Sequence, residues 1–321
     1  KNTRIRDQKA VEIIRALQID TAQYDKFMSH EGVVARTIML DRQLKRIASN
    51  LEKKIKSELT RRMTNEREKY EKFFETFGVQ LKYGVVSDYG AHADVLKDLL
   101  LFWSEKEQKY VSLSEYAEKM GEDQKYIYYA AGESRTKLSQ LPQTELVRDR
   151  GYDILLLTDE VDEFIMQSLM KYNEKEFRSV SAEDLGLESE EEKEQKQQET
   201  QENKELLDFV KETMGDKLKE VRLSNKLKSH PVCLVPDSGL SFEMEKYLNR
   251  VSPNDQSLHT GRVLELNANH AAFAALKNAY AADREKAGRY AQLLYAQALL
   301  IADLPLEDPS AYTDLVCGLM Q

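Results

Sequence analysis

Two short stretches carry the residue types that could break bonds. Gly132-Glu133-Ser134-Arg135 follows the apolar run Ile127-Tyr128-Tyr129-Ala130-Ala131, and Thr158-Asp159-Glu160 follows Ile154-Leu155-Leu156-Leu157. If both runs are parallel strands, both loops fall at the carboxyl edge of a sheet, where ligands of α/β folds bind. Glu133 and Asp159 could then act as acid and base, with Ser134 beside them. The same residue types satisfy the free N–H groups of a helix start, and capping is the preferred reading of both loops.

Other chemistry finds less support. There is no GxxxxGK(S/T) or GxGxxG phosphate cradle, no HExxH, no zinc spacing of Cys and His, and no Gly-x-Ser-x-Gly elbow. His92 stands with Asp88 and Asp94 at a spacing unsuited to one ion, and reads as a solvated helix start, so no metal is expected. Cys233, inside Pro231-Val232-Cys233-Leu234-Val235, reads as a small buried hydrophobe rather than a nucleophile. It forms no CxxC pair with Cys317, and the pattern fits a reducing cytosol, hence a cytoplasmic protein.

A net charge of −9 argues against a nucleic-acid partner. The basic stretch Lys45 to Lys56, with Arg61 and Arg62, reads as one wet helix face. No apolar run approaches the ~18 residues a bilayer crossing needs, and no signal peptide opens the chain, so no membrane partner is expected. The sequence begins at Lys1 rather than Met, and a truncated chain is expected.

The elements that would position these residues can be read from periodicity. Residues 1–32 give a short helix, roughly Lys9 to Leu17, and a polar connection. A helix over Val33 to Arg62 follows from Ile38, Leu40, Leu44, Ile47, Leu51, Ile55 and Leu59. Tyr70, Phe73, Phe74 and Phe77 define another, with Gly78 as its stop. Strand, helix, strand, helix then run from Ile127 to about Tyr172, and Phe177 to Val180 offers a third strand. The charge-rich segment Glu188 to Glu205 reads as a connector that could continue as a helix into Leu206. Beyond it, Val221-Arg222-Leu223, Val232 to Val235 and Arg262 to Leu266 read as strands, with a helix from about Ser238 to Val251 between the last two. Two helices end the chain, one from about Asp283 to Ala302 and one capped by Asp308 with Pro309 in its first turn.

Five ordered stretches resemble one known family, heat shock protein 90. They are Val34 to Asp41, Ile127 to Ser134, Gly151 to Phe164, the pair Val221 to Ser224 and His230 to Val232, and Leu264 to His270. In order and spacing the resemblance covers roughly Val33 to the end. It implies an α+β multidomain chain: a helical connector, a small α/β/α middle subdomain with parallel strands, and a mixed carboxy-terminal domain ending in a dimerisation helix pair. The expected domains are an uncertain segment 1–32, the end of a middle domain at 33–187, a charged connector at 188–205 and a dimerisation domain at 206–321.

The implied function is that of an ATP-dependent molecular chaperone. ATP and Mg would bind in an amino-terminal domain that this chain lacks, so no cofactor and no ATP hydrolysis are expected here. The resemblance places Arg36 on the Arg that approaches the γ-phosphate, and Leu40 where the family has Gln. It also places Glu163 and Phe164 on a client-contacting position. Leu240, Met244, Tyr247 and Leu248 fall at helical spacing on one side of their helix. By spacing alone that stripe reads as core, but the resemblance makes it part of the client-binding face.

At the chain's end Tyr290, Leu293, Leu294, Ala298 and Ile301, flanked by Leu300, form one stripe, and Tyr312, Leu315, Val316 and Leu319 form another. Short helices rarely bury two stripes alone, and pairing with a second copy would give a two-fold four-helix bundle. The expected partners are thus a second copy of the chain and partly folded client proteins. Two rival readings are an α/β enzyme using Glu133, Ser134 and Asp159, and a dimeric scaffold with no client surface.

Overall fold

A computed structural model describes residues 30–237, 240–251 and 259–320. The helix expected at Lys9 to Leu17 lies outside the described residues. The chain divides into two units at Arg67/Glu68.

The described residues of the first unit form one long helix, α1 (His30–Asn65). Its stripe of Leu40, Leu44, Ile47, Leu51 and Ile55 is exposed. Of the basic residues along it, Arg46, Lys53, Lys54, Arg61 and Arg62 are exposed and Lys56 is half-buried, in keeping with a solvated face. Near its end Glu58 accepts hydrogen bonds from both Arg61 and Arg62.

The second unit opens with α2 (Arg67–Val86), which runs straight through Gly78. Gly78 is therefore a packing glycine and not a helix stop. A Cβ there would lie 2.8 Å from the ring of Phe74, and the apolar face continues beyond it to Val85, which is fully buried. At the start of the same helix, the hydroxyl of buried Tyr70 donates to the carbonyl of Leu99 at 2.6 Å.

A mixed sheet follows, built from β1 (Leu101–Ser104), β2 (Lys109–Ser112), β3 (Tyr126–Ala131), β4 (Ile154–Leu157), β5 (Lys171–Tyr172) and β6 (Lys175–Ser179) in the order β2-β1-β4-β3-β6-β5. β3 runs parallel to both β4 and β6, as expected, while β1, β2 and β5 add antiparallel edges. The continuous apolar run of β4 is explained by burial on both faces. Ile154 and Leu156 pack with Tyr128, Ala130, Leu138 and Val147, and Leu155 and Leu157 are buried on the opposite face. Short helices fill the connections: α3 (Leu113–Glu118), α4 (Arg135–Ser139), α5 (Glu145–Asp149) and α6 (Asp162–Leu169).

The charge-rich segment is itself a helix, α7 (Glu190–Glu202), opened by a capping box between Ser189 and Glu192. After α8 (Lys204–Met214) comes a three-stranded sheet in the order β7 (Glu220–Leu223), β9 (Arg262–Leu266), β8 (Val232–Pro236). Helix α9 (Phe242–Val251) precedes β9, while α10 (Ala271–Ala282), α11 (Arg284–Ile301) and α12 (Pro309–Gly318) follow it.

Alternation along the strands separates two cores. Val232, Leu234, Leu264 and Leu266 face the large cluster with Phe273, Leu276 and Leu294. Cys233, Val235 and Val263 face a small one with Leu227. Cys233 is therefore the buried hydrophobe its neighbours suggested.

Candidate functional site

Residues from separate stretches meet where α9 lies over the carboxyl edge of β3 and β4. Helix α6 presents the buried Glu163, whose carboxylate accepts a hydrogen bond from the Ser241 hydroxyl at the foot of α9. Burial pushes this carboxyl up to about 7; the Ser241 hydroxyl draws it down and the nearby charge of Glu243 raises it further. One residue on, the half-buried Phe164 meets Tyr247 edge to face, with ring centroids 5.5 Å apart. The Gln167 amide donates to the Met244 sulfur at 3.1 Å. Arg250, near the end of α9, pairs with Glu160.

Beneath this contact Lys82 sits almost fully buried, 2.7 Å from both Asp159 and Asp162. Burial works against its charge, but the two carboxylates more than offset that and lift its pKa above the usual lysine value. Its ammonium also lies 5.0 Å from the centre of the Phe102 ring. Asp159 is thus committed to a structural ion pair, and its backbone N–H donates to Asp162. Ser134 caps α4 by accepting from the Lys137 backbone, and Glu133 pairs with Lys137. The capping reading holds for Ser134 alone: α6 has Val161 at its N-cap and no side-chain cap, and Asp159 and Glu133 are held in ion pairs instead.

Of the residues expected from the sequence to form a client face, Glu163, Phe164, Met244 and Tyr247 meet in this region. Met244 is buried at 5 % exposure, while Leu240, Tyr247 and Leu248 are half-buried. α9 therefore rests its methionine against Gln167 of α6 and sets Tyr247 against Phe164. Lys82, Gln167 and Ser241 take part in this region although nothing in the sequence singled them out.

The two terminal stripes divide in the same way. Leu294 and Ala298 belong to the chain's own core. Tyr290, Leu293, Ile301, Tyr312, Leu315 and Val316 are half-buried, and Leu300 and Leu319 are about half exposed. The Asp308 cap and Pro309 stand as the sequence indicated, with the Asp308 carboxylate accepting from the Ser310 and Ala311 backbones. Arg36 falls within α1, but its side chain lies outside the described residues; Leu40 is exposed.

A second charged group ties β7 and β9 to the segment that follows β6. Glu265 on β9 lies opposite Arg222 on β7, and its buried carboxylate meets Arg222 at 2.9 Å, Lys226 at 3.1 Å and the Ser224 hydroxyl at 2.8 Å. Lys226 in turn donates to the carbonyl of Ala182, and Arg222 pairs with Glu183. Burial opposes the charge of Glu265, yet Lys226 and Arg222 hold its pKa below the ordinary value. Among the described residues, no group of three or more His, Cys, Asp or Glu could hold a metal ion, and no helix is long and apolar enough to cross a membrane.

Comparison with known proteins matches residues 33–321 to the family model described as Hsp90 protein. The chain is 52 % identical over 281 residues to the chaperone protein HtpG of Clostridium botulinum strain Langeland, covering 88 % of this chain and 45 % of that protein. It is 54 % identical over 281 residues to the HtpG of Clostridium acetobutylicum, with the same coverage. With the HtpG of Oceanobacillus iheyensis it shares 55 % identity over 280 residues, covering 87 % of this chain and 44 % of that one. The chain thus spans under half the length of these relatives.

Proposed function

The chain belongs to the Hsp90 protein family, and on that premise we propose that it supplies the client-holding and dimerising surfaces of an ATP-dependent molecular chaperone of the cytoplasm. In this reading residues 33–187 form the end of the middle domain, 188–205 the connector and 206–321 the dimerisation domain. The observation that carries the reading is the meeting of Glu163 and Phe164 with Ser241, Met244 and Tyr247, which gathers apolar and adaptable side chains from distant stretches at one rim. Methionine suits a surface that must fit many shapes, and an aromatic pair supplies area at little conformational cost. A partly folded client would lie against Phe164, Leu240, Tyr247 and Leu248, with Met244 beneath them.

ATP and Mg belong to the longer family protein. Arg36 would there stabilise charge on the transferring phosphoryl group, as a guanidinium can. By itself the chain is expected to hydrolyse no ATP. A second copy would pair through the half-buried and exposed parts of the terminal stripes, namely Leu293, Leu300, Ile301, Leu315, Val316 and Leu319.

The test of the client face is a double variant at its rim, Phe164→Ser with Leu248→Ser, because Met244 is too buried to change without risk to the fold. Affinity for a partly folded protein should drop by at least tenfold, the equivalent of ~1.4 kcal/mol. Unchanged affinity in a variant with the parent's circular dichroism spectrum would reject this face.

A further inference from the structure

An open cleft of about 280 Å³ lies under α9 at the carboxyl edge of β3 and β4, at the small end for a binding site and wide enough for one side chain rather than a whole ligand. Its lining is acidic. Glu133, Asp159, Glu160, Glu163 and Glu243 face it, against the cations Lys246 and Arg250. Both cations already have partners, Lys246 in Glu243 and Arg250 in Glu160. The nearest cations behind the lining are shared out too. Lys82 serves Asp159 and Asp162, and Lys137 serves Glu133 and Asp303. Each of these cations is therefore matched by at least one carboxylate, and negative charge remains in excess.

Glu163 stands outside these pairs. Its carboxyl is buried and meets the Ser241 hydroxyl but no cation, and the charge of Glu243 lies near it. A cation placed beside it would favour its ionised form, so an incoming positive charge and Glu163 would stabilise one another. The same cleft has apolar walls, from Leu157, Met244 and Tyr247, and Phe164 packs on Tyr247. Acidic and aromatic surface thus lie within one side chain's reach.

Building on the client-site reading above, we propose that this cleft selects client segments in which a lysine or arginine stands next to an aromatic or aliphatic side chain. The cation enters among Glu160, Glu163 and Glu243, and its apolar neighbour lies on Tyr247 and Phe164. Segments with a carboxylate at that position are turned away by the same charges.

The experiment uses the whole chain and three fluorescent peptides of one apolar sequence, differing at one central position that is Arg, Gln or Glu. Fluorescence anisotropy should rank them Arg, Gln, Glu, with roughly five- to tenfold between Arg and Gln at low salt and a smaller gap as salt screens the cleft. In the charge-reversed variant Glu160→Lys with Glu243→Lys, the order should invert. Phe164→Ser should weaken whichever peptides bind. Equal binding of all three peptides, still lost with Phe164→Ser, would overturn the charge selection while leaving the client site standing. Binding that ignores Phe164→Ser, or no binding of any peptide, would overturn the client site and the selection together. Should the reversed variant misfold, the ranking and salt dependence in the parent chain decide the matter.

Discussion

Replacing Glu163 with Gln should make the chain more stable at pH 8 and leave it almost unchanged at pH 5. The carboxyl is 6 % exposed, and it titrates at about 7 rather than the 4.5 of a solvated glutamate. A folded-state pKa above the unfolded one means the folded chain holds the proton more tightly between those two values. Stability from this group is therefore full below about pH 4.5, declines as pH rises toward 7, and is constant above that. The gap between the two values, at ~1.4 kcal/mol per decade of proton affinity, sets an upper figure of roughly 3 kcal/mol. Glutamine keeps a group able to meet the Ser241 hydroxyl and carries no charge at any pH. Urea unfolding of both proteins from pH 5 to pH 8 should show midpoints that coincide at the acidic end and separate toward the basic end, with the variant the more stable. A separation that is the same at every pH, or a variant weaker at pH 8, would mean that the burial of Glu163 does not govern its charge.

Three further outcomes follow from the packing. Glu265→Gln should destabilise by roughly 3–5 kcal/mol, because it leaves Lys226 and Arg222 beside a buried neutral amide; a melting curve unchanged from the parent would place the charges elsewhere. Gly78→Ala should lower stability although alanine is the better helix former. The propensity gain is about 1 kcal/mol, whereas overpacking against the buried Phe74 ring costs about 1–3 kcal/mol, and a raised melting temperature would refute that balance. Deleting residues from Asp308 onward should leave a monomer by light scattering, and a truncated chain that stayed dimeric would put the interface elsewhere.

Much of this fold is written in the chain's periodicity. The parallel core strands were legible because β4 is an unbroken apolar run and β3 nearly so, the mark of strands covered on both faces. Hairpin β1–β2 was not, since its turn, Glu105 to Gln108, holds no Gly, Asn or Pro, and Gln108 takes a positive φ of 53° that its residue type does not announce. Helix α10 was missed because Ala-rich segments show little contrast between faces. Gly78 read as a stop, since a sequence does not show the aromatic ring that needs the space. At the site, Phe164 and the α9 stripe could be named from resemblance and spacing, but not the depth of Met244, which depends on what α9 rests against. The Arg222–Glu265 pair did leave a signal: each charge interrupts an apolar strand, Val221-Arg222-Leu223 and Leu264-Glu265-Leu266, and such charges need each other.

The most direct test of the chaperone reading is aggregation of a heat-unfolding protein, followed by light scattering, with the whole chain added in increasing amounts and no ATP. The client-holding account predicts suppression that grows with concentration and weakens in the Phe164→Ser, Leu248→Ser variant. Aggregation that proceeds unchanged at several-fold excess of the folded chain would contradict it, and leave a dimeric scaffold as the better description.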